Sequence, residues 1–336
     1  MTKPILLALP SKGAIAEPTL SFLKECGLRV DKPNERQYVG SVPSVPGLDV
    51  LFQRVKDVVY KVSDGTVQLG VTGYDVVREH PHEDLLVIHP GLGYGHCHLV
   101  VAVPESWVDV DGISDLNDVA MEMRRIHGRS LRVATVYGGL ARQFLHAQGI
   151  HHFTLVRAEG AIEAAPTIGY ADVIVDLVQT GTTLRENHLK PLRDGIIVQS
   201  QACLIGNAKA LRSQPETLAV VQTMLEMIDA ALEGKKYRQL TVNITGEGPE
   251  DVARKVSDHE VTRGLKGPTI SPIYGLTQDT DGMSWYTVTV NVESRDLLAA
   301  VNHLRRIGSS QVVVSPVNFV FQRQSPSYKR LLELLG

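Results

Sequence analysis

Short apolar runs rich in valine, isoleucine and leucine alternate with segments whose apolar positions recur every three or four residues through the first 235 positions of the chain. The runs at 5–9, 49–53, 67–71, 85–88, 98–103, 131–136, 153–156, 173–178 and 202–205 predict strands. Helical spacing predicts helices at 15–26, 73–79, 114–123, 139–148 and 182–187. Such alternation predicts an α/β architecture with mainly parallel sheets, in which ligands bind beyond the carboxyl ends of the strands. The segments LPSKG, VTGYD, ATVYGG and DLVQTGTT fall at such ends.

A glycine-rich stretch, HPGLGYGHCH at 89–98, leads into the run VVAVP and predicts a crossing into a second lobe, with a return crossing expected within 191–205. The expected division is one lobe over 1–97 and 192–235 and another over 98–191, enclosing a cleft that can close on a ligand. Leu218, Val221, Met224, Leu225, Ile228 and Leu232 then mark an amphipathic helix over 215–233 that stops at Gly234. Beyond it the pattern changes to a strand at 237–245, a helix at 249–259, strands at 269–274 and 285–292, a helix at 295–307 and a strand at 311–314. The order β-α-β-β-α-β predicts a ferredoxin-like α+β domain over 236–336, a unit more often regulatory or oligomerising than chemical. The leucine-rich tail at 324–336 reads as a short terminal helix.

Composition narrows the class without naming a function. The 336 residues are 43% hydrophobic and 21% charged, ordinary values for a globular protein. A net charge of -3 argues against a general nucleic-acid binder and leaves anionic ligands to local sites. Cys26, Cys97 and Cys203 are odd in number and lack C-x-x-C spacing, which suits a reducing compartment rather than a disulfide framework or structural zinc. The opening MTKPILLALPSKG holds too short an apolar run for a signal peptide, and no stretch approaches the ~20 apolar residues of a membrane span. A cytoplasmic location with no membrane partner is expected. His96 and His98 flank Cys97 on one side of a predicted strand, but no second cluster completes a metal site, so no metal ligand is assigned.

The segment 171–184, ADVIVDLVQTGTTL, carries the most chemistry. A buried strand broken only by Asp176 runs into Thr180, Gly181, Thr182 and Thr183, and a helix follows. Backbone N–H groups, threonine hydroxyls and a glycine that lets the chain approach closely make a phosphate cradle. Asp176 at the strand end can accept hydrogen bonds from sugar hydroxyls. An ordinary strand-to-helix turn capped by threonine is the plain alternative.

The stretch Asp172–Leu184, taken with EGAIEAAP at 159–166, resembles the signature of ATP phosphoribosyltransferase, the first enzyme of histidine biosynthesis. The resemblance extends through LALPSKG, Arg54–Asp57, LGVTGYD at 69–75, RVATVY at 132–137, QACLI at 201–205 and GPTISP at 267–272. It spans essentially the whole chain and is that of the long form with its own regulatory domain. It implies a two-lobed periplasmic-binding-protein-like (type II) core followed by an ACT-like ferredoxin-like domain. It also implies the reaction of ATP with 5-phosphoribosyl 1-diphosphate, requiring Mg²⁺, to give N1-(5-phosphoribosyl)-ATP and diphosphate. Adenine N1 already carries a lone pair, so the displacement needs alignment more than deprotonation.

By position, the resemblance implies that Thr180, Gly181, Thr182, Thr183 and Leu184 hold the 5′-phosphate of the donor and that Asp176 meets its ribose. Lys12 and Arg54 become cationic, catalytic contacts to phosphates, and Asp57, Tyr137 and Glu163 become candidate nucleotide contacts. A solvated loop lysine, a surface ion pair with Asp57 and core hydrogen bonding are the respective plain alternatives. In the last domain Leu265 and Thr269 match positions near a pocket for histidine as feedback inhibitor, and long-form relatives are hexamers that interconvert with dimers. Three departures stand out: Gly138 follows Tyr137 where proline is usual, Ala161 replaces a common serine, and Asn187-His188 replaces Asn-Gly. Two other readings stay open. A purine or pyrimidine phosphoribosyltransferase of the commoner fold would carry two adjacent acids where this chain has Asp176-Leu177. A two-lobed small-molecule binding or sensor protein would share the cleft.

Overall fold

Alternating inward-facing residues build the first sheet from five of the expected runs, and the computed structural model describes residues 4–32, 34, 37–158, 160–274, 283–309 and 311–336. In chain order its elements are β1 (Ile5–Pro10), α1 (Ala16–Glu25), β2 (Val39–Ser41), β3 (Leu48–Gln53), α2 (Val55–Ser63), β4 (Leu69–Gly73), α3 (Tyr74–Glu79) and β5 (Leu85–His89). The chain then crosses to β6 (Cys97–Pro104), α4 (Ile113–His127), β7 (Leu131–Thr135), α5 (Gly138–Ala147), β8 (Phe153–Arg157), β9 (Val173–Val178), α6 (Thr182–Glu186) and β10 (Leu189–Ser200). It returns as β11 (Ala202–Asn207), followed by α7 (Ala208–Ser213) and α8 (Pro215–Gly234).

The first sheet has the order β2-β3-β1-β4-β11-β5, and the second β10-β6-β9-β7-β8. Strand β1 runs parallel to β3 and β4, and β7 runs parallel to β8 and β9. The sheets are mixed rather than mainly parallel, because β11 is antiparallel to β4 and β5 while β6 is antiparallel to β9 and β10. This is the two-lobed type II arrangement that the sequence predicts. The second lobe reaches beyond the expected boundary at 191, since β10 pairs with β6 as far as Ser200. Pro191 and Gly195 hide this strand in the sequence. The register shifts between Pro191 and Ile196 and again before Val198, so its alternation is broken.

Helix α2 is the other unexpected element. Its valines favour strands by propensity, yet Val58, Val59 and Val62 stand at helical spacing and are buried against Ala8, Val67, Cys203 and Ile205. In the second lobe, Leu99, Val101, Val103, Val133, Val173 and Val175 face one core, while Val100, Ala102, Ala134 and Ile174 face the other.

The chain divides into two compact units, one of Met1–Phe22 and Arg29–Val220, the other of Leu23–Leu28 and Val221–Leu334. The second unit contains β12 (Tyr237–Gly246), α9 (Pro249–Ser257), β13 (Thr269–Pro272), β14 (Ser284–Glu293), α10 (Leu297–Arg306), β15 (Val312–Pro316) and α11 (Pro326–Leu335). Its sheet, ordered β13-β14-β12-β15 with every neighbour antiparallel, is the expected ferredoxin-like arrangement. Val242, Ile244, Val288 and Val290 pack there against Val252, Val256, Ala300 and Leu304. Among the described residues, no helix is long and apolar enough to cross a membrane.

Candidate active site

Strand β9 carries the centre of the site. Val173, Val175 and Leu177 pack on one side and Ile174 and Val178 on the other, which leaves Asp176 near the carboxyl end at the mouth of a cleft. The cleft has a volume of about 560 Å³ and is lined by residues of both lobes. Gly181, at the entry to α6, has φ 75°, a left-handed conformation that any Cβ would strain. Around it Thr180 Oγ1 lies 3.1 Å from Thr182 Oγ1, and Arg185 donates from Nη2 to Thr182 Oγ1 at 3.2 Å. Asn187 donates to the Thr183 carbonyl at 2.9 Å and closes the end of α6. Leu184 turns its side chain into the core beside Val100, Ile162 and Ile174, so only its main chain is available to a ligand.

The carboxyl of Asp176 accepts from the Leu177 N–H at 2.8 Å. Burial pushes its pKa up, the Leu177 N–H works against that, and the nearby Glu163 carboxylate raises it further. Glu163 stands on a short turn of helix, entered through Ala161 at φ 41°. Alanine is rarely found in that conformation, so the turn holds Glu163 at the cost of local strain. Asp176, Glu163, Tyr137, Thr180, Gly181, Thr182, Thr183 and Leu184, all singled out from the sequence, line this one cleft. Glu159, quoted with them, lies outside the described residues.

Tyr137 is buried, and its hydroxyl donates to Asp75 Oδ2 at 2.6 Å. Ser200 donates to Asp75 Oδ1 at 2.6 Å, while the Asp75 N–H donates to Ser200 Oγ at 2.9 Å. Burial and the Asp75 charge both raise the Tyr137 pKa, so the phenol stays protonated and stays a donor. Gly73 makes room for this arrangement, because a Cβ there would collide with the Asp75 carboxylate. One turn further along α3, Glu79 accepts from the N–H groups of Gly139 and Leu140 at 2.8 and 2.9 Å and caps α5 from the other lobe. The sequence points to the VTGYD segment as a strand end but does not single out Asp75, Glu79 or Ser200. Their partners lie far along the chain, and no local pattern marks them.

Lys12, Arg54 and Asp57 do not line the cleft. They line a neighbouring groove of about 790 Å³ together with Lys32, Tyr38 and Phe52. The first turn of α2 forms part of both walls, with Arg54 and Asp57 on the groove and Val55 and Lys56 on the cleft. Leu265 is exposed in a turn of the second unit, and Thr269 is the exposed first residue of β13. Among the described residues, no group of three or more His, Cys, Asp or Glu is gathered as metal ligands. All three cysteines are buried, and burial pushes the Cys97 thiol up to about 11 and the Cys26 thiol to about 12.

A family model described as ATP phosphoribosyltransferase matches residues 54–230, and one described as HisG, C-terminal domain, matches residues 234–319. The chain is 39% identical over 334 residues to ATP phosphoribosyltransferase 2, chloroplastic, of Arabidopsis thaliana, covering 99% of this chain and 81% of that protein. It is 34% identical over 336 residues to the ATP phosphoribosyltransferase of Nitrobacter hamburgensis, covering 98% of each. Among solved structures, the ATP phosphoribosyl transferase (HisG:HisZ) complex from Thermotoga maritima aligns with a TM-score of 0.52 at 23% identity, covering 67% of this chain and 98% of that one. The last of these likenesses concerns the fold alone.

Proposed function

The chain belongs to the ATP phosphoribosyltransferase family of histidine biosynthesis, and on that premise we propose how its cleft handles the two substrates. It is a pentosyltransferase acting on ATP and phosphoribosyl diphosphate. The loop Thr180–Leu184 would take the donor's 5′-phosphate through backbone N–H groups and threonine hydroxyls, and Asp176 would accept from the ribose hydroxyls. The observation that carries this reading is the convergence of Asp176, the threonine loop and Glu163 on one cleft between the lobes. Lys12 and Arg54 would draw phosphates of ATP into the groove beside it. Asp57 would act there with them, and Glu163 would meet the nucleotide in the cleft. Tyr137 has its hydroxyl committed to Asp75 and would offer only its ring.

Adenine N1 attacks the anomeric carbon of the donor, and the C–O bond to diphosphate breaks with its electron pair leaving on oxygen. N1 carries no proton, so holding the two substrates in line supplies much of the acceleration.

The metal is Mg²⁺ in this proposal. With both Asp75 oxygens taken by Tyr137 and Ser200, the cleft offers the carboxylates of Glu163 and Asp176, which would suit an ion held by one or two carboxylates and completed by phosphate oxygens and water. When bound, such an ion neutralises charge on the diphosphate.

The 236–336 segment would be regulatory, binding histidine near Leu265 and Thr269 and favouring one state of a dimer–hexamer equilibrium. The enzyme would work in the cytoplasm.

The test is turnover of ATP and phosphoribosyl diphosphate with Mg²⁺, followed by ultraviolet absorbance of the N1-substituted product with and without a diphosphatase. The wild type turns over and Thr182→Asp, which places a negative charge in the loop, loses donor binding at least a hundredfold. Unchanged donor affinity in a folded Thr182→Asp protein removes the loop assignment.

A further inference from the structure

The three carboxylates of the cleft pose an electrostatic problem. Asp75, Glu163 and Asp176 all line a cavity that must receive a polyanionic donor, and the leaving group gains negative charge as the bond breaks. Of the described residues lining the cleft, Lys56 is the one cationic side chain. It is exposed on the first turn of α2, and among the described residues it makes no ion pair. Lys12 and Arg54, the cations that the sequence nominates, face the neighbouring groove.

The donor's own geometry fixes which of its charges can reach Lys56. Its 5′-phosphate and its diphosphate leave the ribose from opposite sides of the ring oxygen. With the 5′-phosphate on the threonine loop and the ribose hydroxyls on Asp176, both in the second lobe, the diphosphate is directed away from that loop. Arg185 already places a guanidinium on Thr182 at the 5′-phosphate end, which leaves the other end to the first lobe.

We propose that Lys56 is a catalytic residue of this enzyme, contacting the diphosphate of the donor and stabilising the charge that develops on it as the anomeric bond breaks. The inference rests on the placement of the 5′-phosphate proposed above. Its charge is held close to the leaving group without a carboxylate partner to neutralise it, so it acts where the transition state is more anionic than the ground state. Being at the start of a helix whose Val58, Val59 and Val62 are buried, Lys56 has a fixed backbone while its exposed side chain remains free to meet a ligand.

The experiment compares wild type, Lys56→Ala and Lys56→Arg as full chains, with inorganic diphosphate and ribose 5-phosphate as separate probes in titration calorimetry, alongside steady-state kinetics. Lys56→Ala is expected to weaken diphosphate binding at least tenfold, leave ribose 5-phosphate binding within twofold and lower kcat at least a hundredfold. Lys56→Arg is expected to restore most of both losses. Diphosphate binding that is unchanged in Lys56→Ala overturns the proposal, as does an equal loss of both probes. Failure of the placement of the 5′-phosphate reads differently: ribose 5-phosphate then binds Thr182→Asp as it binds wild type, whatever Lys56 does.

Discussion

At Asp176 a single acid near the end of an apolar strand is asked to stay ionised in a site that disfavours its charge. Burial raises its pKa, and Glu163 raises it further. With the ionised form accepting from ribose hydroxyls, as proposed, the acid limb of kcat/KM should reflect this carboxyl. Glu163→Gln removes a negative neighbour, lowers the Asp176 pKa and should move that limb to lower pH. A limb that stays in place, or moves upward, in the pH profile of Glu163→Gln separates the two carboxylates. Asp176 was visible in the sequence because an acid interrupts Val173–Val178, a pattern that needs no knowledge of the fold. Asp75 was not, although it is more deeply buried, since its partner Tyr137 lies 62 positions away. Lys56 was hidden for another reason: only the helical phase of α2 turns it to the cleft while Arg54 and Asp57 turn to the groove.

Among the elements, β9 is anchored at its start as well as poised at its end. Asp172 just precedes it and is buried, accepting from Arg129 Nη1 at 2.7 Å, Arg132 Nη2 at 2.9 Å and the Arg132 N–H at 2.8 Å. Burial alone would raise its pKa, but these hydrogen bonds overcome that and hold the carboxyl at about 2. A depressed pKa contributes stability above the ordinary value of 3.8, and that stability is lost as pH falls through about 2. Asp172→Asn should therefore cost about 2 kcal/mol at pH 7, with the deficit shrinking between pH 4 and 2, as followed by urea unfolding across that range. A deficit independent of pH would locate the loss in packing instead. The strands were read well where an apolar run is continuous, as in β7 and β9. No element is predicted where valines stand at helical spacing, in α2, or where proline and glycine interrupt a bulged strand, in β10. In both cases tertiary packing overrode a local preference.

For the molecule as a whole, the two-lobed core and the ferredoxin-like unit were legible because each has its own order of strands and helices. The regulatory role proposed for the second unit is testable without dissecting the chain. Histidine should lower turnover and shift the sedimentation profile together, since a ligand changes activity through assembly only by binding one state better than another. Inhibition with no change in sedimentation would separate the two effects. Within the core, the helix α3 has a mechanical consequence. Asp75 holds the start of its neighbour's turn through Tyr137, and Glu79, four residues on, holds the first N–H groups of α5. Two attachments on one face of a short rod leave the lobes little freedom to slide or separate along that edge. Any closure of the cleft would then turn about α3 as its pin, and the parts of the cleft distant from it would sweep the larger arc.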